Sequence, residues 1–281
     1  MASFRYVVAD VFTDVPLAGN QLAVFTDARA IPEELLQPLA VEVGFSETVF
    51  VYRAEGEGHA RIRIFTPVRE VPFAGHPTLG AAFVLAAPMQ LGSIVLETGA
   101  GPVPVVLERD GDRIVFGRME QPLPTWGPYP REEELLRALG VERSQLPVEV
   151  YDAGPRHVFV ALPSRDAVGR LAPDLQALSA HGDVLGINCF AGEGSEWKTR
   201  MFAPAWGMPE DPATGSAAGP LAVHLARHGR TGFGAQIRIE QGAEIGRPAT
   251  LYARADGSAE ALERVEVGGA AVVVARGEFR L

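Results

Sequence analysis

Three short stretches bring together residue types that can move protons. Gly44-Phe45-Ser46-Glu47-Thr48-Val49-Phe50 sets a carboxylate at the entry of an apolar, β-branched run. Gly75-His76-Pro77-Thr78 sets an imidazole in a turn, and Glu210-Asp211-Pro212-Ala213-Thr214-Gly215-Ser216-Ala217 sets adjacent carboxylates ahead of small residues. An acid entering a buried strand is a paired group, a rim group, or a base whose pKa its surroundings tune. Moving a proton from carbon to carbon needs one base, which then returns the proton as an acid. A single carboxylate can do both if burial lifts its pKa toward neutrality. His76 and Asp211 each precede a proline, which suits a first helical turn because its missing N–H would be unpaired there anyway. Bare amides at such a helix start form a site for a carboxylate or oxyanion. The candidate catalytic residues are therefore Glu47, His76 and Asp211, with Gly75, Thr214, Gly215 and Ser216 as candidates for holding an anionic substrate. The bland alternative is a pair of well-capped buried helices, with Glu210 and Asp211 only complementing a helix dipole.

Other chemistries are excluded by counting. Cys189 is the only cysteine, so no intrachain disulfide, cysteine-rich zinc site or two-thiol racemase can be built. Lys198 is the only lysine, and no glycine-rich dinucleotide or phosphate-loop pattern occurs, so neither Schiff-base chemistry nor a nucleotide cofactor is expected. His224 and His228 lie one helical turn apart, but Gly229 follows at once, and they read as the basic end of a helix rather than as metal ligands. A formal net charge of −10 argues against nucleic acid as a partner. The amino terminus has no basic segment leading into a long apolar stretch, and no 18-residue apolar span occurs, which predicts a soluble cytoplasmic protein without a membrane helix.

The elements that must position these residues repeat. Strands are expected at Phe4–Phe12, Leu22–Phe25, Thr48–Tyr52, Arg61–Phe65, Ile94–Glu97, Val103–Glu108 and Arg113–Arg118. Helices are expected at Pro32–Val43, stopped by Gly44, and at Arg131–Leu139, stopped by Gly140; Gly80–Ala87 reads as the continuation of a helix buried on all sides. Four prolines within 121–130 predict a seam. Beyond it the pattern restarts: Arg63-Ile64-Phe65-Thr66-Pro67 echoes Arg200-Met201-Phe202-Ala203-Pro204, 137 positions on, and His76-Pro77 echoes Asp211-Pro212, 135 positions on. The expectation is a 1–121 domain, completed by a last strand in 270–281, a 122–130 linker and a 131–269 domain. The two halves would face each other across a cleft.

At these residues the chain resembles the phenazine-biosynthesis isomerase (PhzF-like) family, which shares a fold with diaminopimelate epimerase. The resemblance is carried by Asp10-Val11-Phe12 through Gly19-Asn20, Ser46-Glu47-Thr48, Phe65-Thr66-Pro67, Pro72 through Gly80, Pro209 through Ala218, and Val267-Gly268-Gly269 to Gly277. It implies an α+β fold of two similar pseudo-symmetric domains, each a curved mixed β-sheet wrapped around a central helix, with a cofactor-free active site and a homodimer. It also implies roles. The carboxylate matching Glu47 moves a proton between two carbons of trans-2,3-dihydro-3-hydroxyanthranilate; the groups matching Asp211 and His76 orient that substrate; those matching Gly215 and Ser216 hold its polar groups. Leu17-Ala18, Gln21, Val71 and Met208 depart from the family's usual residues without touching the proposed chemistry. The alternatives are an epimerase or lyase on the same scaffold, and a non-catalytic small-anion binder.

Overall fold

The computed structural model describes residues 2–281 and separates into two units, Met1–Glu120 with Gly268–Leu281, and Gln121–Val267. The first unit contains β1 (Ser3–Val11), β2 (Asn20–Phe25), α1 (Glu33–Val43), β3 (Glu47–Tyr52), β4 (Ala60–Phe65), β5 (Glu70–Val71), α2 (Gly75–Met89), β6 (Ser93–Thr98), β7 (Gly101–Asp110) and β8 (Arg113–Gln121). The second begins with β9 (Thr125–Pro128), α3 (Glu132–Leu139), β10 (Glu149–Asp152), β11 (Arg156–Ala161), α4 (Arg165–Gly169) and α5 (Leu175–Leu178). It continues through β12 (Gly186–Glu193), β13 (Glu196–Ala203), β14 (Met208–Asp211), α6 (Gly215–Arg227), β15 (Gln236–Gln241), β16 (Ala249–Gly257) and β17 (Leu262–Gly269). The chain then returns to the first unit with β18 (Ala271–Arg280), which lies antiparallel to β1.

Strand pairing repeats between the units. In the first, β1 and β2 are antiparallel, β2 and β3 parallel, β3 and β4 antiparallel, β4 and β6 parallel, and β6 and β7 antiparallel. In the second the same alternation runs from β10 through β11, β12, β13 and β15 to β16. Each parallel pair needs a long connection, and α1 supplies one and α2 another. Inside the first unit α2 packs against β1, β2, β3, β6, β7 and β18, so sheet surrounds it. This explains its composition. Gly75 through Phe83 are all buried, and a helix enclosed on every side is predominantly apolar, as Gly80–Ala87 is. Outside that sheet, Phe4, Phe25, Phe50 and Phe65 pack with Leu36 and Leu39 of α1. The second unit packs Leu135, Leu136 and Leu139 of α3 with Val158, Val160, Ile187, Cys189 and Phe202. Gly44 and Gly140 close α1 and α3 in the left-handed conformation (φ 70° and 68°) that glycine adopts without a Cβ penalty.

Three features differ from the sequence reading. Residues 125–128, inside the expected linker, form a strand paired with β10, Trp126 opposite Tyr151; the prolines sit at or outside its ends, where no ladder N–H is required. Asp211 does not cap a helix. It ends β14, four positions before α6 begins at Gly215. Because α2 likewise begins four positions after β5 ends, Val71 corresponds to Asp211 and His76 to Ser216, a register of 140 rather than 135. The shared dipeptide ending in proline had aligned residues from different places in the two units.

Candidate active site

The first unit carries a tight turn ahead of its candidate residues. Asp10 Oδ2 accepts the Leu17 N–H at 2.7 Å and Thr13 Oγ1 accepts the Val15 N–H at 3.0 Å. Leu17 (φ 68°) and Gly19 (φ 62°) are both left-handed, and a Cβ at position 19 would collide with the Val11 carbonyl and lie 2.6 Å from Thr13 Cγ2. Glycine is required there. The turn delivers Asn20 to the first position of β2. Asn20 Oδ1 accepts the Ser46 hydroxyl at 3.0 Å, and its amide nitrogen lies 3.4 Å from His76 Nδ1. Glu47 opens β3 opposite Leu22, and its Oε2 lies 3.6 Å from the same Nδ1. Strands β2 and β3 and the first turn of α2 thus gather a carboxamide, a carboxylate and an imidazole, all buried. Burial pushes the His76 pKa down to about 3, against a weaker opposing hydrogen bond with the Gln21 main chain, so the ring is neutral at working pH. His76 Nε2 is buried and has no hydrogen-bond partner among the described residues.

The second unit holds the other expected residues. Asp211 Oδ2 accepts the Thr214 hydroxyl at 2.6 Å. Gln241, at the end of β15, donates to the Asp211 carbonyl at 2.8 Å and to Thr214 Oγ1 at 2.9 Å, and accepts the Thr214 N–H at 3.2 Å. These bonds occupy Thr214, so α6 starts without a side-chain cap, as α2 does behind Ala74. The amides of Gly215 and Ser216, and of Gly75 and His76, belong to these uncapped first turns. Ser216 Oγ lies 2.9 Å from His157 Nε2. Sequence reasoning missed Asn20 as a site residue, and His157, Asn188 and Gln241 altogether. A faint likeness of 154–160 to 19–25, 135 positions apart, is the sequence's one trace of His157.

One further cluster has the makings of a metal site. Glu149, His224 and His228 bring their ligand atoms within 4.8 Å of one another. Arg227 Nη1, however, lies 2.7 Å from Glu149 Oε2, the oxygen that both imidazoles approach at 3.2 and 3.0 Å. The guanidinium supplies the positive charge there, stacked over Trp126, and the group ties β10 to the end of α6.

Comparison with known proteins decides the class. The family model described as phenazine biosynthesis-like protein (PhzC-PhzF) matches residues 9–277. The chain belongs to this family. Its phenazine biosynthesis-like sequence is 52% identical over 277 residues to the trans-2,3-dihydro-3-hydroxyanthranilate isomerase of Pseudomonas fluorescens, covering 99% of each chain. The crystal structure of a PhzF-family phenazine biosynthesis protein from Bacillus anthracis superposes with a TM-score of 0.85 at 29% identity, covering 100% of both chains. A hydroxyproline epimerase from Agrobacterium vitis shares the fold, with a TM-score of 0.69 at 11% identity over 99% of this chain and 91% of that one. This PhzF-family chain is an isomerase with an α+β, epimerase-like fold. No helix among the described residues is long and apolar enough to cross a membrane.

Proposed function

We propose that this enzyme isomerises trans-2,3-dihydro-3-hydroxyanthranilate, with Glu47 as the base and acid. The carrying observation is the buried Glu47 carboxylate beside a neutral His76 at the uncapped start of α2. Glu47 takes a proton from one ring carbon, the C–H electron pair shifts through the conjugated system, and the protonated Glu47 returns a proton to another carbon, so no atom is gained or lost. A neutral His76 serves as a hydrogen-bonding group to the substrate and adds no positive charge. Fixed donors stabilise charge developing on the substrate without reorganising. To the same reaction we assign Asp211 for orienting the substrate, and Gly75, Thr214, Gly215 and Ser216 for its polar groups. The high identity to the Pseudomonas fluorescens enzyme supports the substrate choice. Reaction in D₂O tests it. The product keeps the substrate's mass apart from carbon-bound deuterium, and Glu47→Gln binds substrate but loses the exchange. A product lighter by water or ammonia, or exchange that survives Glu47→Gln, overturns the reading. Cytoplasmic location and homodimeric assembly complete the proposal; cell fractionation and a sedimentation mass at micromolar protein check them.

A further inference from the structure

We propose that His157 and Asn188 form a relay that fixes Ser216 as a hydrogen-bond donor toward the substrate. The inference rests on the reading of Ser216 as a substrate ligand and adds the machinery that sets its polarity. Ser216 is the second residue of α6, and its hydroxyl lies 2.9 Å from His157 Nε2. A hydroxyl and an imidazole nitrogen can bond in either direction, and the direction depends on which ring nitrogen carries the proton.

Asn188 settles that choice. Its amide nitrogen lies 3.3 Å from each of the Val158 carbonyl, the Gly186 carbonyl and His157 Nδ1. An oxygen so placed would face two carbonyl oxygens, so this atom is the NH₂. The amide nitrogen accepts no hydrogen bond, so a proton on Nδ1 would meet only N–H there; Nδ1 is the lone-pair nitrogen, and the proton therefore resides on Nε2. Nε2–H donates to Ser216 Oγ, and the serine keeps its own hydrogen for another acceptor, an anionic or carbonyl oxygen of the ligand. The ring is held for this task. His157 is fully buried, which keeps it neutral, with its pKa pushed down to about 3. It can occupy its place only because residue 186 is glycine: a Cβ there would lie 2.7 Å from Nδ1 and 2.9 Å from Met201 Sδ. In the corresponding place of the first unit a histidine, His76, itself occupies the second helical position that Ser216 holds here.

Histidine side-chain nitrogen chemical shifts in the wild-type protein show the protonated Nε2 tautomer for His157. The opposite tautomer overturns the relay, whatever the variants do. Asn188→Asp places an acceptor beside Nδ1, moves the ring proton there and turns Nε2 into an acceptor that captures the serine hydrogen. It raises KM about tenfold or more, as Ser216→Ala does, since a lost hydrogen bond to a charged group is worth that much. Combined with Ser216→Ala, Asn188→Asp adds nothing further to KM. His157→Gln, whose amide can still donate to Oγ, keeps KM near wild type, whereas His157→Leu does not. Equal KM increments for Asn188→Asp with and without Ser216 overturn the relay and leave the isomerase reading intact. An unchanged KM in Ser216→Ala removes Ser216 from the substrate and the relay with it.

Discussion

Acidification tests the buried, neutral state of His76 and His157. His76 and His157 are each held down to about 3 by burial, whereas an imidazole in the unfolded chain titrates near 6.5. Between those values the unfolded chain binds protons that the folded chain refuses, so stability is full above about pH 7.5 and falls as the pH drops through 6.5 toward 3. At pH 5 each ring costs about 2 kcal/mol, from about 1.4 kcal/mol per pH unit over the interval below 6.5. Paired carboxylates contribute little at that pH. Glu149 is held low because hydrogen bonds from His224, His228 and Arg227 outweigh the opposing effect of burial, and its contribution is lost only as the pH falls below the ordinary carboxylate value. The interval from 6.5 to 5 therefore isolates the histidines. All three tryptophans, Trp126, Trp197 and Trp206, lie in the second unit with His157, so fluorescence-detected urea unfolding reads that unit. Wild type should lose at least about 2 kcal/mol between pH 7.5 and 5. His157→Gln should lose about 2 kcal/mol less than wild type over the same range. Identical pH dependence in the two proteins would refute the claim that His157 is buried and neutral.

Two other outcomes follow from packing. Gly80→Ala in α2 sets a Cβ 2.6 Å from Leu22 Cδ2 and 2.7 Å from Val11 Cγ2, both from fully buried residues. Helix propensity favours alanine by about 1 kcal/mol while overpacking costs about 1–3 kcal/mol, so thermal unfolding should show a loss of up to about 2 kcal/mol, and a gain would contradict the packing. Cys189 is fully buried, and burial pushes its thiol up to about 12, so a thiol reagent at pH 8 should label it only at the rate at which the second unit opens; labelling within seconds in native buffer would place it elsewhere.

Local patterns were readable where local physics decides. The alternation in β1, the glycine stops of α1 and α3 and the apolar Gly80–Ala87 stretch of α2 each follow from a few neighbouring residues. Glu47 and His76 were legible because both sit at the start of an element. What stayed hidden depends on long-range pairing. The parallel contacts of β2 with β3 and β11 with β12 join segments separated by whole helices, and the packing of α6 against β11 brings His157 to a serine 59 positions away. Nothing around Gly154-Pro155-Arg156-His157 marks that meeting. The repeat register slipped because a dipeptide ending in proline recurs more conspicuously than the strand ends that define the two units. The Trp126 strand was hidden by its flanking prolines, which forbid a long strand but not a short one between them.

Strand β18 has a consequence for how the protein is made. Strand β1 leaves the ribosome long before β18, one of its two neighbours, with Ser3 opposite Arg280 and Phe4 opposite Phe279. All of Gln121–Val267 is translated in between, so a nascent chain waits tens of seconds with that flank of β1 unpaired. An open strand edge is a template for other chains. Synthesis thus favours early completion of the inserted unit and leaves the unit bearing Glu47 and His76 open until β18 emerges.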